Sequence, residues 1–153
     1  MAVKFIPDGY HSLTPYLFVD GGARALEFYA RAFGAVEKFR MPGPDGKIGH
    51  AEMQLGTSVF MLADENPEMN ARGPKAVGGS PVSLMVYVED VDRVFAQAVK
   101  AGAQVERPLA NQFYGDRTGG VIDPFGHRWY LATHVEDVAP EEMDRRMKAQ
   151  RQA

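Results

Sequence analysis

The same order of predicted elements occurs twice along the chain, and such an internal repeat constrains a fold more than any local propensity does. In the first half, a short run rich in β-branched and aromatic residues (15–20) precedes an amphipathic helix pattern that ends at Gly34. In the second half, residues 84–89 repeat the strand, and apolar residues at helical spacing over 91–99 repeat the helix, which ends at Gly102. The sequence therefore predicts two copies of one strand and helix unit.

Each half continues after its helix with three predicted strands. They are residues 36–41, 50–55 and 58–63 in the first half, and residues 104–108, 118–122 and 127–133 in the second. The last two strands of each half flank a tight turn, which is Gly56-Thr57 in the first half and residues 123–126 in the second. The order in both halves is strand, helix, strand, strand, strand. The predicted fold class is therefore α+β, with two tandem βαβββ modules.

We predict that residues 1–153 form a single domain. Module 1 spans about residues 11–66 and module 2 about residues 82–137. Residues 67–81 are rich in glycine and proline and lack a periodic pattern, so they are predicted to be a linker. A C-terminal helix is predicted over about residues 140–150, because this segment opens with proline and two glutamates and then turns basic.

Composition excludes several classes of protein. The 153 residues are 45% hydrophobic and 24% charged, with no apolar run long enough to cross a bilayer and no signal-like start, so we expect a cytoplasmic protein and no membrane partner. The absence of cysteine excludes disulfides, cysteine-ligated zinc and thiol catalysis. A formal net charge of -3 gives no reason to expect binding to nucleic acid. The expected partners are a small molecule and a second copy of the chain.

The two-residue loop of the first hairpin determines which side chains share a face of the sheet. If Leu55 pairs with Ser58, then Glu52 pairs with Met61. One face then carries side chains of mixed polarity, namely His50, Glu52, Gln54, Val59, Met61 and Ala63. The other face carries the apolar residues that we expect to pack under the helix, namely Ala51, Met53, Leu55, Phe60 and Leu62. The mixed face is typical of a pocket wall.

The same alternation in the other strands adds aromatic and thioether side chains to the predicted pocket. This set consists of Thr14, Tyr16, Phe18, Ser83, Met85, Tyr87, Trp129, Leu131 and Thr133. If the two halves curl their sheets toward one another, these groups line one cleft that binds flat or apolar organic molecules by burial and stacking. Phe113, Tyr114 and Arg117 form a lip of this cleft in one interpretation, whereas in the other Asp116 and Arg117 only hold the loop in place.

Four segments carry a resemblance to a known family. TPYLFVDGGARALEFYARAFGA and HAEMQLGTSVFMLADE open and close the first module, and VSLMVYVEDVDRVFAQAVKAGA and QFYGDRTGGVIDPFGHRWYLATHVEDV open and close the second. Over about residues 11–137 the chain resembles the vicinal oxygen chelate superfamily, which contains glyoxalase I, extradiol dioxygenases and the bleomycin and fosfomycin resistance proteins. It is most similar to the PhnB-like, glyoxalase-related branch. The resemblance implies strands that wrap a half-open barrel around a cleft, usually in a homodimer.

The resemblance does not extend to the metal site. Metal-using members take histidine and glutamate ligands from the first and last strands of each module, and the matching positions here are Thr14, Met61, Ser83 and Leu131. None of these is a usual donor for this chemistry, so we expect no metal or other cofactor at the usual position. His50 and Glu52 remain as a hydrogen-bonding pair, as a general base with its orienting group, or as two ligands of a displaced metal site.

Three functions are consistent with the sequence. In the first, the protein binds an apolar or aromatic small molecule in the cleft through Tyr16, Phe18, Gln54, Met61, Ser83, Met85, Tyr87, Phe113, Tyr114, Arg117 and Trp129. In the second, it is a glyoxalase-like lyase or isomerase whose catalytic residues are His50 and Glu52. In the third, it is an accessory or regulatory dimer with a vestigial pocket.

Overall fold

The computed structural model describes residues 2–153 and consists of two βαβββ modules. Module 1 contains β1 (Tyr16–Val19), α1 (Gly22–Phe33), β2 (Val36–Pro42), β3 (Ile48–Leu55) and β4 (Ser58–Asp64). After a one-turn helix α2 (Pro74–Val77), module 2 contains β5 (Ser83–Tyr87), α3 (Val91–Ala101), β6 (Gln104–Asn111), β7 (Asp116–Ile122) and β8 (Arg128–His134), and α4 (Pro140–Gln152) follows it. The predicted α+β class and the repeat are confirmed.

Each module forms one four-stranded sheet, and the two sheets have the same topology. The strand orders are β1-β4-β3-β2 and β5-β8-β7-β6. The first and last strands of each module pair in parallel, while the remaining pairs are antiparallel. Both sheets are open, because neither closes on itself to form a barrel. The predicted linker contains a 3-10 turn, Pro67–Met69, in addition to α2.

A carboxylate on the last strand of module 1 fixes the start of α1. The side chain of Asp64 accepts hydrogen bonds from the backbone N–H groups of Gly21 and Gly22 at 2.9 Å each, and from that of Ile48 at 2.7 Å. The N–H groups of Gly21 and Gly22 at the helix N-terminus have no partner within the helix, so the carboxylate supplies the missing acceptor. The helix ends at Gly34, whose φ of 72° places it in the left-handed region that favours glycine. Asp64 thus couples α1 to β3 and β4.

The helices of the two modules pack against each other inside the molecule. Gln97 of α3 donates its side-chain N–H to the carbonyl of Arg31 in α1 at 2.7 Å. The helix-facing sides of both sheets share one core, which contains Tyr29, Phe33 and Phe60. The sheet faces that point away from the helices are therefore turned outward, and the predicted pocket residues are divided among separate hollows instead of lining one cleft.

Trp129 belongs to this core instead of lying exposed in a cleft with Tyr16, and it borders only a separate hollow with Ser83 and Met85. Its side chain is 2% exposed, and its ring centroid lies 4.8 Å from that of Phe33. The indole N–H donates to the carboxylate of Asp123 at 2.9 Å, so the side chain is buried without an unpaired polar group. Leu131 is fully buried on the same side of β8, and Thr133 is bonded to Val88 at the approach to α3. The alternation assigned to β8 was therefore shifted by one residue.

The register predicted for the first hairpin is confirmed. Leu55 pairs with Ser58 and Glu52 pairs with Met61 across the two-residue loop. Met53 and Phe60 are buried beneath the helices, as the alternation predicted. A two-residue connection leaves no alternative pairing, and this accounts for the success of the prediction.

The C-terminal helix covers the end of module 2 without entering the core. None of the residues in α4 is buried. Arg146 ties the helix to the body, because its guanidinium donates to the carboxylate of Glu136 at 2.7 Å and to the carbonyl of Phe113 at 3.2 Å. Within residues 2–153, no helix is long and apolar enough to span a membrane.

Candidate functional site

The outward face of module 1 carries a chain of hydrogen bonds between β1 and β3. The Tyr16 hydroxyl lies 2.8 Å from Nδ1 of His50, and Nε2 of His50 lies 3.0 Å from Oε1 of Glu52. His50 and Glu52 share a face because they are two residues apart on β3. Both face the side of the sheet that carries Tyr16, as the sequence predicted, while Ala51 between them and Met53 after them face the core. The structure thus unites three of the predicted site residues.

A fourth residue, Tyr10, extends this chain and was not identified from the sequence. Its hydroxyl donates to Oε2 of Glu52, the carboxylate oxygen that His50 does not use. The ammonium of Lys38 on β2 lies 4.8 Å from the centre of the Tyr10 ring, a cation–π distance. Tyr10 lies in the irregular segment before β1, where no periodicity indicates which residues it contacts. We refer to Tyr10, Glu52, His50 and Tyr16 as the polar relay.

The polar relay shifts the ionisation of its members. Hydrogen bonds from His50 and then from Tyr10 lower the pKa of Glu52 below its ordinary value of 4.5. Partial burial, followed by the charge of Glu52, raises the pKa of Tyr16 above 10.0, and the hydrogen bond to Glu52 raises that of Tyr10. At neutral pH the relay therefore contains a carboxylate anion and two protonated phenols.

An open hollow of about 950 Å³ lies beside the polar relay. Tyr16 and Phe18 of β1 line it, with ring centroids 5.3 Å apart, so an aromatic surface adjoins the polar atoms. The β2–β3 loop and residues 65–71 form its sides. The rim carries more acidic than basic side chains, with Asp45, Glu65 and Glu68 against Lys47. Its volume is sufficient for a drug-sized organic molecule.

The outward face of module 2 carries a different cluster. Asp116 is buried, and its carboxylate accepts hydrogen bonds from the hydroxyl of Tyr87 at 2.8 Å and from Nδ1 of His134 at 2.7 Å. Nε2 of His134 lies 2.8 Å from Asp137. The hydrogen bonds with Asp116 and then Asp137 raise the pKa of His134 above 6.5. This cluster joins the end of β8 to the segment that leads into α4.

The other predicted site residues are dispersed over both modules. Gln54 donates to the carbonyl of Gly56 and thereby holds the hairpin loop. Arg117 forms two hydrogen bonds with the carboxylate of Asp92, at 2.9 and 2.8 Å, so it ties β7 to the start of α3. Ser83, Met85 and Tyr87 contribute to a separate hollow of about 430 Å³, together with Leu55, Val59 and Trp129. Phe113 packs edge-on against Tyr114 at 5.4 Å, near α4.

Thr14, Met61, Ser83 and Leu131 match the positions that bind the metal in the family that the sequence resembles, and they do not fit a divalent ion. Leu131 faces the core and is fully buried, so it does not share a face with Met61 or Ser83. Hydroxyl and thioether groups supply no set of charged or imidazole donors. Within residues 2–153, no three histidine, aspartate or glutamate side chains converge in a metal-binding arrangement.

Comparison with known proteins identifies the family. The model of the Glyoxalase/Bleomycin resistance protein/Dioxygenase superfamily matches residues 10–131. The chain belongs to this superfamily. It is 44% identical over 153 residues to protein Mb0911c of Mycobacterium bovis, with 98% of each chain covered. It is 33% identical over 116 residues to protein At5g48480 of Arabidopsis thaliana, with 71% of this chain and 69% of that one covered.

Solved structures of other proteins share the fold. TioX from Micromonospora sp. ML1 superposes with a TM-score of 0.66 at 28% identity, covering 82% of this chain and 99% of that one. A PhnB protein from Bacillus cereus superposes with a TM-score of 0.61 at 24% identity, covering 80% of this chain and 99% of that one, a likeness that shows the fold alone. The resemblance stated from the sequence is confirmed.

Proposed function

We propose that this superfamily member binds an organic molecule with an aromatic or apolar body in the hollow beside the polar relay, without a metal at the usual position. The observation that carries this proposal is the aromatic surface of Tyr16 and Phe18 in a hollow of about 950 Å³, next to the hydrogen bond of Tyr16 with His50. Aromatic rings supply affinity by burial and stacking, and a few polar atoms set the orientation.

Charge at the rim of the hollow restricts the ligand. The carboxylates of Asp45 and Glu68 form no ion pair with another described residue, whereas Lys47 is the one basic side chain of the rim. Negative charges around a concave surface repel an anion and attract a cation. We therefore expect neutral and cationic aromatic compounds to bind more tightly than anionic ones.

The enzymatic alternative is favoured by one observation, the order Tyr16, His50, Glu52. A carboxylate that orients an imidazole, which in turn contacts a hydroxyl, is the arrangement of a general base with its orienting group. In such a lyase or isomerase, His50 transfers the proton through Tyr16, which borders the hollow. The hypothesis of an accessory dimer with a vestigial pocket predicts instead that no small molecule stabilises the fold.

Homodimerisation remains part of the proposal. Apolar side chains stay exposed on the outward faces of both modules, including Phe39 at 48%, Met85 at 46% and Tyr87 at 61%. An exposed apolar sheet face is typical of a contact surface, and a symmetric pair of chains covers such a face on each copy.

Ligand-induced thermal stabilisation tests the proposed function. The panel consists of naphthalene derivatives that carry a neutral, an ammonium or a carboxylate group, each with and without divalent metal ions. Specific binding at 100 times Kd stabilises the native state by about 2.7 kcal/mol. We expect the neutral and ammonium compounds to raise Tm, with no requirement for metal. Equal stabilisation by the carboxylate, or none by any compound, would contradict the proposal.

Matched variants locate the binding site. Phe18→Ala removes an aromatic wall of the hollow and is expected to weaken binding by about 1 to 3 kcal/mol. Val105→Ala, at an exposed position of the edge strand β6 in module 2, is the control and should leave affinity unchanged. His50→Ala separates the hypotheses: it changes affinity modestly if the protein only binds, and it lowers any turnover of a bound compound by about 100-fold or more if the protein is an enzyme.

A further inference from the structure

The polar relay determines which tautomer His50 adopts. An ionised carboxylate accepts hydrogen bonds and donates none, so the nitrogen that faces Glu52 must carry a proton. That nitrogen is Nε2, at 3.0 Å from Oε1. In the neutral imidazole only one nitrogen is protonated, and Nδ1 is therefore left with its lone pair.

Tyr10 fixes the orientation of the Glu52 carboxylate. Its hydroxyl donates to Oε2, so both oxygens of the carboxylate have a donor. The Glu52 side chain is 14% exposed, and Lys38 over the Tyr10 ring adds a positive charge on the same side of the relay. These contacts keep Glu52 ionised and fixed in orientation, so that it always accepts a hydrogen bond from His50.

The tautomer of His50 in turn orients the hydroxyl of Tyr16. Because Nδ1 has a lone pair and no proton, the hydroxyl 2.8 Å away must be the donor in this hydrogen bond. A phenol has a single proton, and here that proton is committed to His50. The Tyr16 oxygen keeps its remaining lone-pair capacity, and its residue lines the hollow.

We propose that Tyr16 presents a hydrogen-bond acceptor to the hollow, so that the site selects aromatic ligands carrying an O–H, N–H or ammonium donor over isosteres that can only accept. The proposal rests on the proposed function, since it assigns the polarity of one contact in that hollow. Tyr16 is the specificity-determining residue, and His50, Glu52 and Tyr10 are positioning residues. An acceptor-only ligand meets lone pairs at Tyr16 and loses a hydrogen bond that water supplied.

The tautomer can be measured without any ligand. In protein labelled with 15N on histidine, the ring nitrogen shifts distinguish the two neutral tautomers from each other and from the doubly protonated ring. The chain has 4 histidines, and the signals lost in His50→Gln assign this one. We expect protonated Nε2 and unprotonated Nδ1. The reverse pattern would overturn the proposal whether or not the protein binds small molecules.

The selectivity is measured with 2-naphthol, which donates, and 2-methoxynaphthalene, which only accepts. One hydrogen bond at a partly exposed site corresponds to about a 5- to 10-fold difference in affinity, and we expect 2-naphthol to bind more tightly by this factor. Tyr16→Phe should abolish the difference, and Tyr130→Phe, on β8 of the other module, should preserve it. Equal affinities of the two probes for the unmodified protein would overturn the proposal.

Glu52→Gln tests the positioning role. A glutamine can turn either its oxygen or its amide N–H toward Nε2, so it no longer specifies one tautomer. We expect both tautomers of His50 in the ring nitrogen shifts and a smaller preference for 2-naphthol, with the fold retained by circular dichroism. An unchanged tautomer together with an unchanged preference would show that Glu52 does not act through His50. If neither naphthalene binds, the proposed function fails, and the tautomer still decides the polarity of Tyr16.

Discussion

Removal of one hydroxyl group tests whether the two modules form a single core. The Tyr29 hydroxyl on α1 donates to the carboxylate of Asp123, in the turn before β8, at 2.6 Å. Tyr29 is fully buried, and Asp123 is buried as well. The two residues are 94 positions apart in the chain, so the bond joins module 1 to module 2. Tyr29→Phe deletes this bond and keeps the aromatic ring in place.

The structure sets the expected magnitude. A hydrogen bond to a charged group contributes about 1.5 to 3 kcal/mol to stability. Asp123 keeps three other donors in the variant, namely the indole N–H of Trp129 and the backbone N–H groups of Phe125 and His127. The carboxylate is therefore not left unpaired, which places the loss toward the lower end of that range. Because the ring is retained, no cavity term is added.

Urea unfolding measures the effect, with Tyr114→Phe as the matched control. Tyr114 is 36% exposed, so its variant should change the free energy of unfolding by less than about 0.5 kcal/mol. We expect Tyr29→Phe to lower it by about 1.5 to 2.5 kcal/mol in one cooperative transition with an unchanged m value. A loss below 0.5 kcal/mol, or two separate transitions, would refute the account of a core shared through Asp123.

Other perturbations test the remaining features. Trp129→Ala removes a buried aromatic side chain and should lower the free energy of unfolding by about 3 to 5 kcal/mol in the same urea assay. A change close to zero would indicate that Trp129 lies on an open surface. His134→Gln should destabilise most below pH 6.5, because the raised pKa of His134 contributes stability there that is lost as pH rises through the folded-state pKa. Unfolding at several pH values checks this, and a cost that grows with pH would contradict it. Sedimentation should show a dimer at tens of micromolar concentration, rather than a monomer. Elemental analysis should find no stoichiometric divalent metal at the usual position. A bound metal that is lost on changing Thr14 or Ser83 would contradict this prediction.

The fold was predictable because the repeat and the short turns are local signals. The two-residue loop at Gly56 specified the register of the first hairpin, and with it the face shared by His50 and Glu52. The four-residue turn before β8 gave no such constraint, so the parity of that strand rested on composition. A tryptophan is suited to a pocket wall, and it is equally suited to a core that contains an acceptor for its indole N–H. The position of Asp123, which accepts this hydrogen bond, distinguishes the two cases and is not evident from the sequence.

The relay was only partly predictable for a related reason. Tyr16 and His50 were both assigned to the pocket face, but alternation alone does not show that their polar atoms meet. Tyr10 contacts Glu52 across 42 residues from a segment without regular structure. Such a contact depends on the path of an irregular chain over a finished sheet, which has no periodic signature in the sequence.

The two modules share a topology, yet the polar relay of module 1 has no counterpart at the same register position of module 2, and the registers explain this difference. In module 1, Met61 of β4 pairs with Tyr16 on one side and with Glu52 on the other. In module 2, Tyr130 of β8 occupies the corresponding position between Met85 and Gly120. Glycine replaces the carboxylate there, and a Cβ on Gly120 would lie 2.9 Å from Cε1 of the Tyr130 ring, so this ring covers the space that Glu52 uses in module 1. The ring of Tyr130 over Gly120 leaves no carboxylate at the position of Glu52, and Asp116 of module 2 instead binds His134 at the end of β8. This difference is a physical reason to assign the polarity-selective site to the outward face of module 1.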